Sequence, residues 1–545
     1  PSLAAEVMTA HMDFKITATV GLLGLASGLS FTQEINLDIK NSVKVSFDSE
    51  HGKSYKVYST TDLLTKKWNL LGGPVSGGDE GVVFFHETEN DQKLFFKAEQ
   101  IMANPDGSGG EAMLPDGFPT PTKEWPVVLW DPDSTPKRFK TIDKGFDELT
   151  DGSSLYFTGT HSLPPNRLKI QGKRHITIHG LGSNKLELAT PGDILIIKDS
   201  SNIRVTGVFF NGKGPNPKMD NPYFAMIHLS GVNNRIEVSR CSFSDFGSHG
   251  VSHLYGAKRS KNVTVSHCSF RNGGNAFHPK LNIDGTAISG IGSGWIIKNN
   301  TIENCLRGIE IEGRGMEQSQ IIISNNHLRE IWNEGIMLFA SSDESNLYSK
   351  IIISNNFVNC ITPRPDGVPH QTCIAMQGGE NMIISNNIIY DSPKAFTGIG
   401  LNSAMADIRN CVVEGNIVSG VGGWGIQVTE KAGRPYRCEG VVVTGNHVFD
   451  TGSFGMFING SGHTIHGNLV KNSRSAGINY SGRSEGPPTS IMHNTVSGNL
   501  GDGIRLSSEA THAIIAYNIL SGNKENKIIM NSKKNVIRDN ISFNF

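Results

Sequence analysis

The stretches "WIIKNNTIENCLRGIEIEG" (295–313) and "IIISNNHLREIWNEGIMLF" (321–339) repeat one pattern. In each, a β-branched run precedes an Asn, a short apolar pair follows it, and a strand that begins Gly-Ile comes next. The pattern continues to the end of the chain, with its Asn at intervals of 22 to 31 residues: Asn300, Asn326, Asn356, Asn387, Asn416, Asn446, Asn468, Asn494, Asn518 and Asn540. A repeat of this length indicates a solenoid in which each unit is one coil.

Three short strands per coil, with an Asn in register at one turn, predict an all-β fold, the right-handed parallel β-helix. Asn amides at such a turn stack from coil to coil. Propeller repeats are longer, about 40–50 residues, and leucine-rich repeats carry regular Leu in place of Asn-Ile. Upstream, "FKTIDKGFDELTDGSSLYF" (139–157) predicts a short amphipathic helix at about 140–150, which covers the open end of the solenoid.

The part of the chain before the solenoid divides into four segments. Residues 1–11 are expected to be a cloning remnant, and 12–30 a secretory signal peptide with Lys15 before an apolar run; a short amphipathic or disordered leader is the alternative. Residues 31–100 alternate like the strands of a small β-sandwich and predict an accessory module. A Pro/Gly-rich linker over 101–138 leads to the β-helix at 139–545. The mature protein is therefore expected to be secreted, with no segment that inserts into a membrane.

Charge and cysteine content restrict the partners. The 545 residues carry 50 basic and 51 acidic side chains, a net charge of -1, so the global charge does not indicate nucleic acid. The seven cysteines show no CxxC spacing of the metal-binding type. Cys241 and Cys268 lie in matched contexts, "SRCSF" and "SHCSF", where a disulfide and two buried free thiols both fit.

Two carboxylates on one strand are the leading candidates for chemistry. In "GIEIEG", Ile309 and Ile311 are expected to point inward, and Glu310 and Glu312 to lie exposed on the outer face. Matching the Gly-Ile strands gives the outward positions of later coils as Met337, Phe339, Ala375, Gln377, Gly400, Asn402, Gln427, Thr429, Phe457 and Asn459. Earlier coils supply further polar candidates, namely His228, His249, His253, His278, Lys280, Asn282 and Asp284. Coils stack about 4.8 Å apart, so the polar set forms a patch on the order of 20 Å across.

This coil pattern resembles the pectin lyase-like β-helix superfamily over roughly residues 139–545. Members of that superfamily are mostly secreted enzymes that act on acidic or sulfated polysaccharides, and others are phage tailspikes or adhesins. The resemblance therefore implies a polysaccharide partner, and the chemistry has to be argued from residues.

Glycoside hydrolysis is the favoured function. The arrangement of "NIDG" (282–285) and a following strand with two acids is similar to that of the polygalacturonase family, which implies that Asp284, Glu310 and Glu312 are catalytic. The Glu-x-Glu spacing is also similar to the acid pair of the iota-carrageenase family. Positions i and i+2 of a strand are about 6.5 Å apart, within reach of the ~6.5–9.5 Å carboxyl separation of inverting enzymes. The candidate substrate-binding residues are His249, His253, His278, Lys280, Arg314, Phe339 and Gln377.

Two alternatives remain open. Asn282, Glu310 and Glu312 are similar to the Ca²⁺ ligands of the chondroitinase B and alginate lyase family, which implies a Ca²⁺-dependent lyase; a metal-independent lyase would use Lys280 or His278 as base. Alternatively, Glu310 and Glu312 pair with Arg307 and Arg314 as a solvated network on a non-catalytic glycan-binding or structural protein. The hydrolase requires no cofactor.

Overall fold

The computed structural model describes the strands of residues 42–101 and the chain from 119 to 543. Within the second part, the gaps are 132–133, 191, 215–223, 254–258, 275–284, 314–317, 341–347, 361–371, 483–485, 509 and 530–534. The chain divides into two compact units, 1–110 and 111–545. The predicted cloning remnant and signal peptide lie outside the described residues.

The first unit contains two antiparallel sheets. In one, Ser42–Phe47 pairs with Val82–Glu87. In the other, Ser54–Thr60 pairs with Asn69–Leu70, Val75–Ser76 and Phe95–Ile101. These strands fall within the predicted accessory module.

The second unit begins with a cap over the first coil. Val127–Trp130 pairs antiparallel with both Lys137–Phe139 and Ser154–Leu163. The helix Ile142–Asp147 buries Ile142 and Phe146, so apolar side chains close this end of the core.

The solenoid consists of three parallel sheets, each of which receives one strand from every coil, as the sequence predicted. Sheet 1 has 14 strands: Leu168–Gln171, Leu195–Lys198, Ala225–Ser230, His249–His253, Thr286–Gly290, Arg307–Gly313, Ile336–Ala340, Thr372–Met376, Thr397–Asn402, Trp424–Thr429, Met456–Ile458, Ile478–Tyr480, Asp502–Leu506 and Glu525–Ile529. Arg174–Leu188 begins both other sheets, since its first half pairs with Ser201–Thr206 and its second half with Phe209–Gly214.

Sheets 2 and 3 then alternate along the chain. Sheet 2 continues through Ser201–Thr206, Asn234–Ser239, Lys261–Ser266, Ile296–Lys298, Gln318–Ser324, Tyr348–Ser354, Ile383–Ser385, Val412–Glu414, Val442–Thr444, Thr464–His466, Thr489–Met492, Ala513–Ala516 and Val536–Arg538. Sheet 3 continues through Phe209–Gly214, Ser242–Phe246, Ser269–Gly273, Thr301–Cys305, His327–Arg329, Phe357–Val358, Ile388–Ile389, Ile417–Ser419, His447–Phe449, Leu469–Lys471, Thr495–Ser497, Ile519–Ser521 and Ile541–Phe543. Three further strands, Gly379–Glu380, Ile408–Arg409 and Cys438–Glu439, stack between coils.

The interior is filled by columns of identical or similar side chains. Ile, Val and Leu from all three sheets make one continuous core, and Phe210, Phe243 and Phe270 stack with centroids 4.9 and 4.5 Å apart. Each such side chain contributes about 1.5–3 kcal/mol when fully buried. The seven cysteines are buried and free, so Cys241 and Cys268 are thiols and not a disulfide.

The predicted asparagine ladder is confirmed, and all ten asparagines take part in it. Asn356 shows the pattern: its Nδ2 donates to the Asn387 Oδ1 and to the Ile323 carbonyl, both at 2.9 Å. Its own Oδ1 accepts from the backbone N and the Nδ2 of Asn326, at 3.0 and 2.9 Å. Each asparagine therefore satisfies backbone groups of the turn that would otherwise be buried without partners.

The solenoid also buries a titratable side chain, that of His463. His463 is 1% exposed; its Nδ1 accepts from the Val441 backbone N and its Nε2 contacts the Asn459 carbonyl, both at 3.2 Å. Burial lowers the pKa of His463 to about 4. The folded state therefore holds this imidazole neutral.

We predict that Asn356→Ala lowers the free energy of unfolding by about 2–3 kcal/mol, because the ladder groups of two coils lose their partners. Asn355→Gly is the matched control: Asn355 is exposed with φ 55°, a conformation that glycine adopts freely. Denaturant unfolding of both variants measures the difference. Equal stability of the two would contradict the ladder.

Stability should also fall in acid through His463. Its folded pKa lies below the unfolded value of about 6.5, so its contribution is present above pH 6.5 and is lost as the pH falls toward 4. Between pH 7 and pH 5 this amounts to about 2 kcal/mol. Unfolding of the parent and of His463→Gln at both pH values should show their stability difference shrinking by this amount. A constant difference would mean that His463 does not titrate in this range.

Candidate functional site

The outer face of sheet 1 carries two straight columns of side chains. The first outer column runs through Glu310, and the second through Glu312. By strand register the first contains Ile196, His228, Ser252, Ser289, Glu310, Met337, Ala375, Gly400, Gln427 and Phe457. The second contains Glu312, Phe339, Gln377, Asn402 and Thr429. The outward positions predicted for the coils after Glu310 therefore agree with the strand register up to Phe457, and Asn459 lies beyond its last printed pair.

A third column, the edge column, lies two positions before the first buried Ile or Val of each strand. A Cβ on Gly308 would collide with Leu328 in the core, so Gly308 and Ile309 both face inward and the alternation of side chains breaks there. The residue before the glycine consequently returns to the outside. This column contains His249, Thr286, Arg307, Glu334, Thr372, Thr397 and Trp424. The sequence analysis missed it, although Arg307, Glu334, Thr397 and Trp424 each directly precede a Gly-Ile pair.

Glu310 is buried, which corrects the prediction of an exposed and unpacked side chain. It is 6% exposed. The Thr286 hydroxyl donates to its Oε2 at 3.0 Å, and the Arg307 Nη1 lies 3.3 Å from its Oε1. Strict alternation of side chains along the strand correctly predicted that Glu310 points to the outer face. It did not predict the edge column, whose side chains lie beside this carboxylate. A buried carboxylate requires such partners.

Arg307 joins two carboxylates from adjacent coils. Its Nε donates to the Glu334 Oε2 at 2.9 Å, while its Nη1 faces Glu310. The side chains of Arg307, Glu310 and Glu334 are only 15%, 8% and 9% exposed. One guanidinium therefore holds two nearly buried acids at fixed positions, in contrast to the solvated counter-ion that the sequence indicated.

Glu312 is the more accessible of the two strand carboxylates. It is partly buried, and its neighbour on the next strand is Phe339, which is also partly buried. Beneath this pair, the buried Tyr348 hydroxyl lies within hydrogen-bond distance of the Ile311 and Phe339 carbonyls. Burial raises the pKa of Tyr348 well above its usual value, and the charges of Glu312 and Glu310 add to the effect. Gln377 follows Phe339 in the same column and is also partly buried.

A histidine–carboxylate pair lies further up the first outer column. The Nδ1 of His228 is 2.8 Å from the Asp193 Oδ2, and the other oxygen of Asp193 accepts the Ala225 backbone N at 2.7 Å. The two side chains are 21% and 11% exposed. Three strand spacings, about 14 Å, separate His228 from Glu310. Asp193 was not predicted, since it is 35 residues before His228.

His249 and His253 are both buried, and His253 faces inward, which corrects its prediction as an outward-facing residue. His253 pairs with the core residue Leu229 and is 2% exposed; its Nε2 contacts the Gly231 carbonyl at 3.2 Å, and burial lowers its pKa. His249 belongs to the edge column and is 3% exposed, with its Nδ1 2.6 Å from the Ser248 hydroxyl. The other predicted site residues, His278, Lys280, Asn282, Asp284 and Arg314, lie outside the described residues.

The described part of the chain contains no group of three or more His, Cys, Asp or Glu side chains placed to hold a metal ion. Glu310, a proposed Ca²⁺ ligand, already accepts from Thr286 and lies beside the Arg307 guanidinium. A divalent cation on Glu310 would be repelled by that charge, so Glu310 as placed does not fit the predicted Ca²⁺ site. Across the described residues, every helix is too short and too polar to traverse a bilayer.

Comparison with solved structures finds matches at low similarity. The A-module of the Azotobacter vinelandii mannuronan C-5 epimerase AlgE6 is 12% identical, with TM-score 0.33 and coverage of 71% of this chain and 91% of that chain. PfbA, a surface adhesin of Streptococcus pneumoniae, is 12% identical, with TM-score 0.41 and coverages of 64% and 83%. A tailspike protein of E. coli bacteriophage HK620 is 12% identical, with TM-score 0.39 and coverages of 70% and 71%.

Sequence comparison gives the family. None of the curated proteins matches the chain. The profile of the family described as "Right handed beta helix region" matches residues 177–364 and 316–489, which together span more than half of the chain. The stacked coils and the asparagine ladder of this chain agree with that match. The chain belongs to the right-handed β-helix family.

Proposed function

We propose that the protein is a secreted glycoside hydrolase that cleaves an acidic or sulfated polysaccharide on the outer face of sheet 1. The observation that carries the proposal is the pair of carboxylates, Glu310 and Glu312, on one face of one strand, with Glu310 fixed by Thr286 and Arg307. Most glycoside hydrolases use a pair of carboxyl groups that flank the scissile bond.

In this proposal the two acids have different roles. Glu310, held in one orientation, takes a proton from water as the water oxygen attacks the anomeric carbon. Glu312 gives its proton to the glycosidic oxygen as the carbon–oxygen bond breaks, so protons and charges balance. Their Cα atoms are about 6.5 Å apart along the strand, which suits an inverting reaction with water between the carboxyls. Asp284 remains the alternative base.

Substrate recognition would come from the same face. Phe339 and Gln377 follow Glu312 in the second outer column and offer a ring and an amide to the sugar next to the cleaved bond. His278, Lys280 and Arg314 remain proposed contacts to the anionic groups of the substrate. His249 and His253 are too buried to touch it, so they are not part of the proposal.

One observation favours a second candidate, a metal-independent lyase. If the Nδ1 of His228 donates to Asp193, its Nε2 carries a lone pair and can act as a base. Removing the proton next to the carboxyl group of a uronate would then start elimination of the glycosidic oxygen. In this candidate the base is His228, in place of the Lys280 or His278 that the sequence indicated.

We predict that Glu310→Gln and Glu312→Gln each lower turnover by a factor on the order of 10² or more, since each amide can neither take nor give the proton. Glu310→Gln should also lower the melting temperature, because it breaks a buried pair with Arg307; Glu312→Gln should change it little. Glu414→Gln, at an exposed glutamate on sheet 2, is the control for both effects. Full activity in both variants would show that the chemistry lies elsewhere.

A second prediction concerns the products and the metal requirement. Digestion of a panel of anionic polysaccharides should release reducing ends without the ultraviolet absorbance of unsaturated uronate, and activity should survive exhaustive chelation. If the parent's products do absorb in the ultraviolet and the His228→Ala variant loses this absorbance, the result would favour the lyase. Loss on chelation with rescue by Ca²⁺ would contradict the metal-free proposal, and binding without cleavage would indicate a glycan-binding protein.

A further inference from the structure

Four aromatic rings form a cluster on the later coils of the solenoid. Phe396 and Trp424 have centroids 4.6 Å apart, and Trp424 stacks on Phe457 at 4.7 Å with an interplanar angle of 22°. Phe454 stacks on Phe457 at 5.7 Å. Phe396 is 44% exposed at one end of the stack, and the other three rings are partly buried. The cluster is therefore a solvent-accessible apolar surface that crosses three coils.

This cluster lies on the same face as the proposed hydrolase site. Trp424 belongs to the edge column that contains Arg307, and Phe457 belongs to the first outer column that contains Glu310. Four strand spacings separate Glu310 from Trp424 and five separate it from Phe457, which is about 19–24 Å along the axis. A linear polymer that lies along sheet 1 over Glu310 would thus pass over the aromatic cluster.

The surface between the two sites is low and uncharged. The first outer column continues from Glu310 through Met337 to the small residues Ala375 and Gly400. After Glu334, the edge column contains only threonine until Trp424. Gln427, beside the cluster, is held by the hydroxyls of Thr397 at 3.2 Å and Thr429 at 2.9 Å. None of these described residues between the two sites carries a charge, so none of them recognises an anionic group.

Uncharged sugar rings are the ligand that this surface fits. A pyranose has an apolar face of C–H groups that packs on aromatic rings and a rim of hydroxyls that bonds to amides and hydroxyls. Exposed apolar patches of this kind, rimmed by polar residues, are characteristic of binding grooves. A glycan is a better ligand than a protein for this surface, because the surface is continuous with Glu310 and Glu312.

We infer that Phe396, Trp424 and Phe457 form a distal subsite that binds uncharged sugar rings of the polysaccharide whose cleavage Glu310 and Glu312 perform. This inference rests on the proposed function, which sets the direction of the bound polysaccharide along sheet 1. A sugar unit advances a polymer by about one coil spacing, so the subsite lies roughly four to five units from the scissile bond. A polymer that reaches this subsite therefore binds more tightly than an oligosaccharide that is too short to reach it.

The test uses Trp424→Ala and Phe396→Ala in the full chain. Tyr517→Ala is the matched control, because Tyr517 is also 44% exposed and stacks on His493 at 5.2 Å. For each variant, kcat and KM are measured on the polymer and on a trisaccharide of the same glycan. The affinity of the polymer is measured separately by combining each change with Glu312→Gln. Melting temperatures report whether each variant remains folded.

We expect both cluster variants to weaken polymer affinity and raise KM about tenfold, with kcat and the trisaccharide kinetics unchanged and Tyr517→Ala like the parent. Unchanged polymer affinity in folded Phe396→Ala and Trp424→Ala would overturn the subsite and leave the hydrolase intact. Weakened binding of a polymer that the parent binds and does not cleave would support the subsite and overturn the hydrolase. A parent that binds no polysaccharide of a panel of charged and neutral glycans would overturn both.

Discussion

The register between coils is the constraint on which the rest of this structure depends. Side chains alternate along a strand, so a slip by one residue would exchange the inner and outer faces of a coil. The asparagine ladder opposes such a slip, because each Asn bonds to the next Asn and to a backbone carbonyl of the preceding coil. With the coils locked in this way, residues 21 to 38 positions apart in the chain form straight columns on the outer face, and its chemistry follows from which residues share a column.

The same constraint explains how far the sequence could predict the site. The spacing of Gly-Ile strands correctly aligned Glu310 with Gln427 and Phe457. Alternation alone could not show that Gly308 and Ile309 both face inward, so it missed the burial of Glu310 beside Arg307. His253 was placed outside because "SHGVSH" does not reveal which position continues the column of Leu229.

The sequence also could not predict contacts between side chains that are far apart in the chain. Asp193 meets His228 across 35 residues, and Thr286 meets Glu310 across 24. Both contacts join residues of adjacent coils, so they depend on the lengths of the intervening loops as well as on residue type. The predicted residues in the loops at 275–284 and 314–317 lie outside the described chain, and their place in the site remains a prediction.

A rigid solenoid suits a polymeric substrate because sheet 1 offers the same strand spacing over its whole length. Its earlier coils carry the buried acid network and the His228–Asp193 pair, and its later coils carry amides and rings. Arg307 and Thr286 already fix Glu310, so this carboxylate would need no movement to take part in the proposed reaction.

The most direct test of this account is a crystal structure of the Glu312→Gln variant with a bound oligosaccharide of a glycan that the parent cleaves. The account predicts a chain that runs along the axis of sheet 1, with one glycosidic oxygen within hydrogen-bond distance of residue 312 and with the anomeric carbon facing Glu310. An oligosaccharide bound on sheet 2 or sheet 3, with sheet 1 unoccupied, would contradict it.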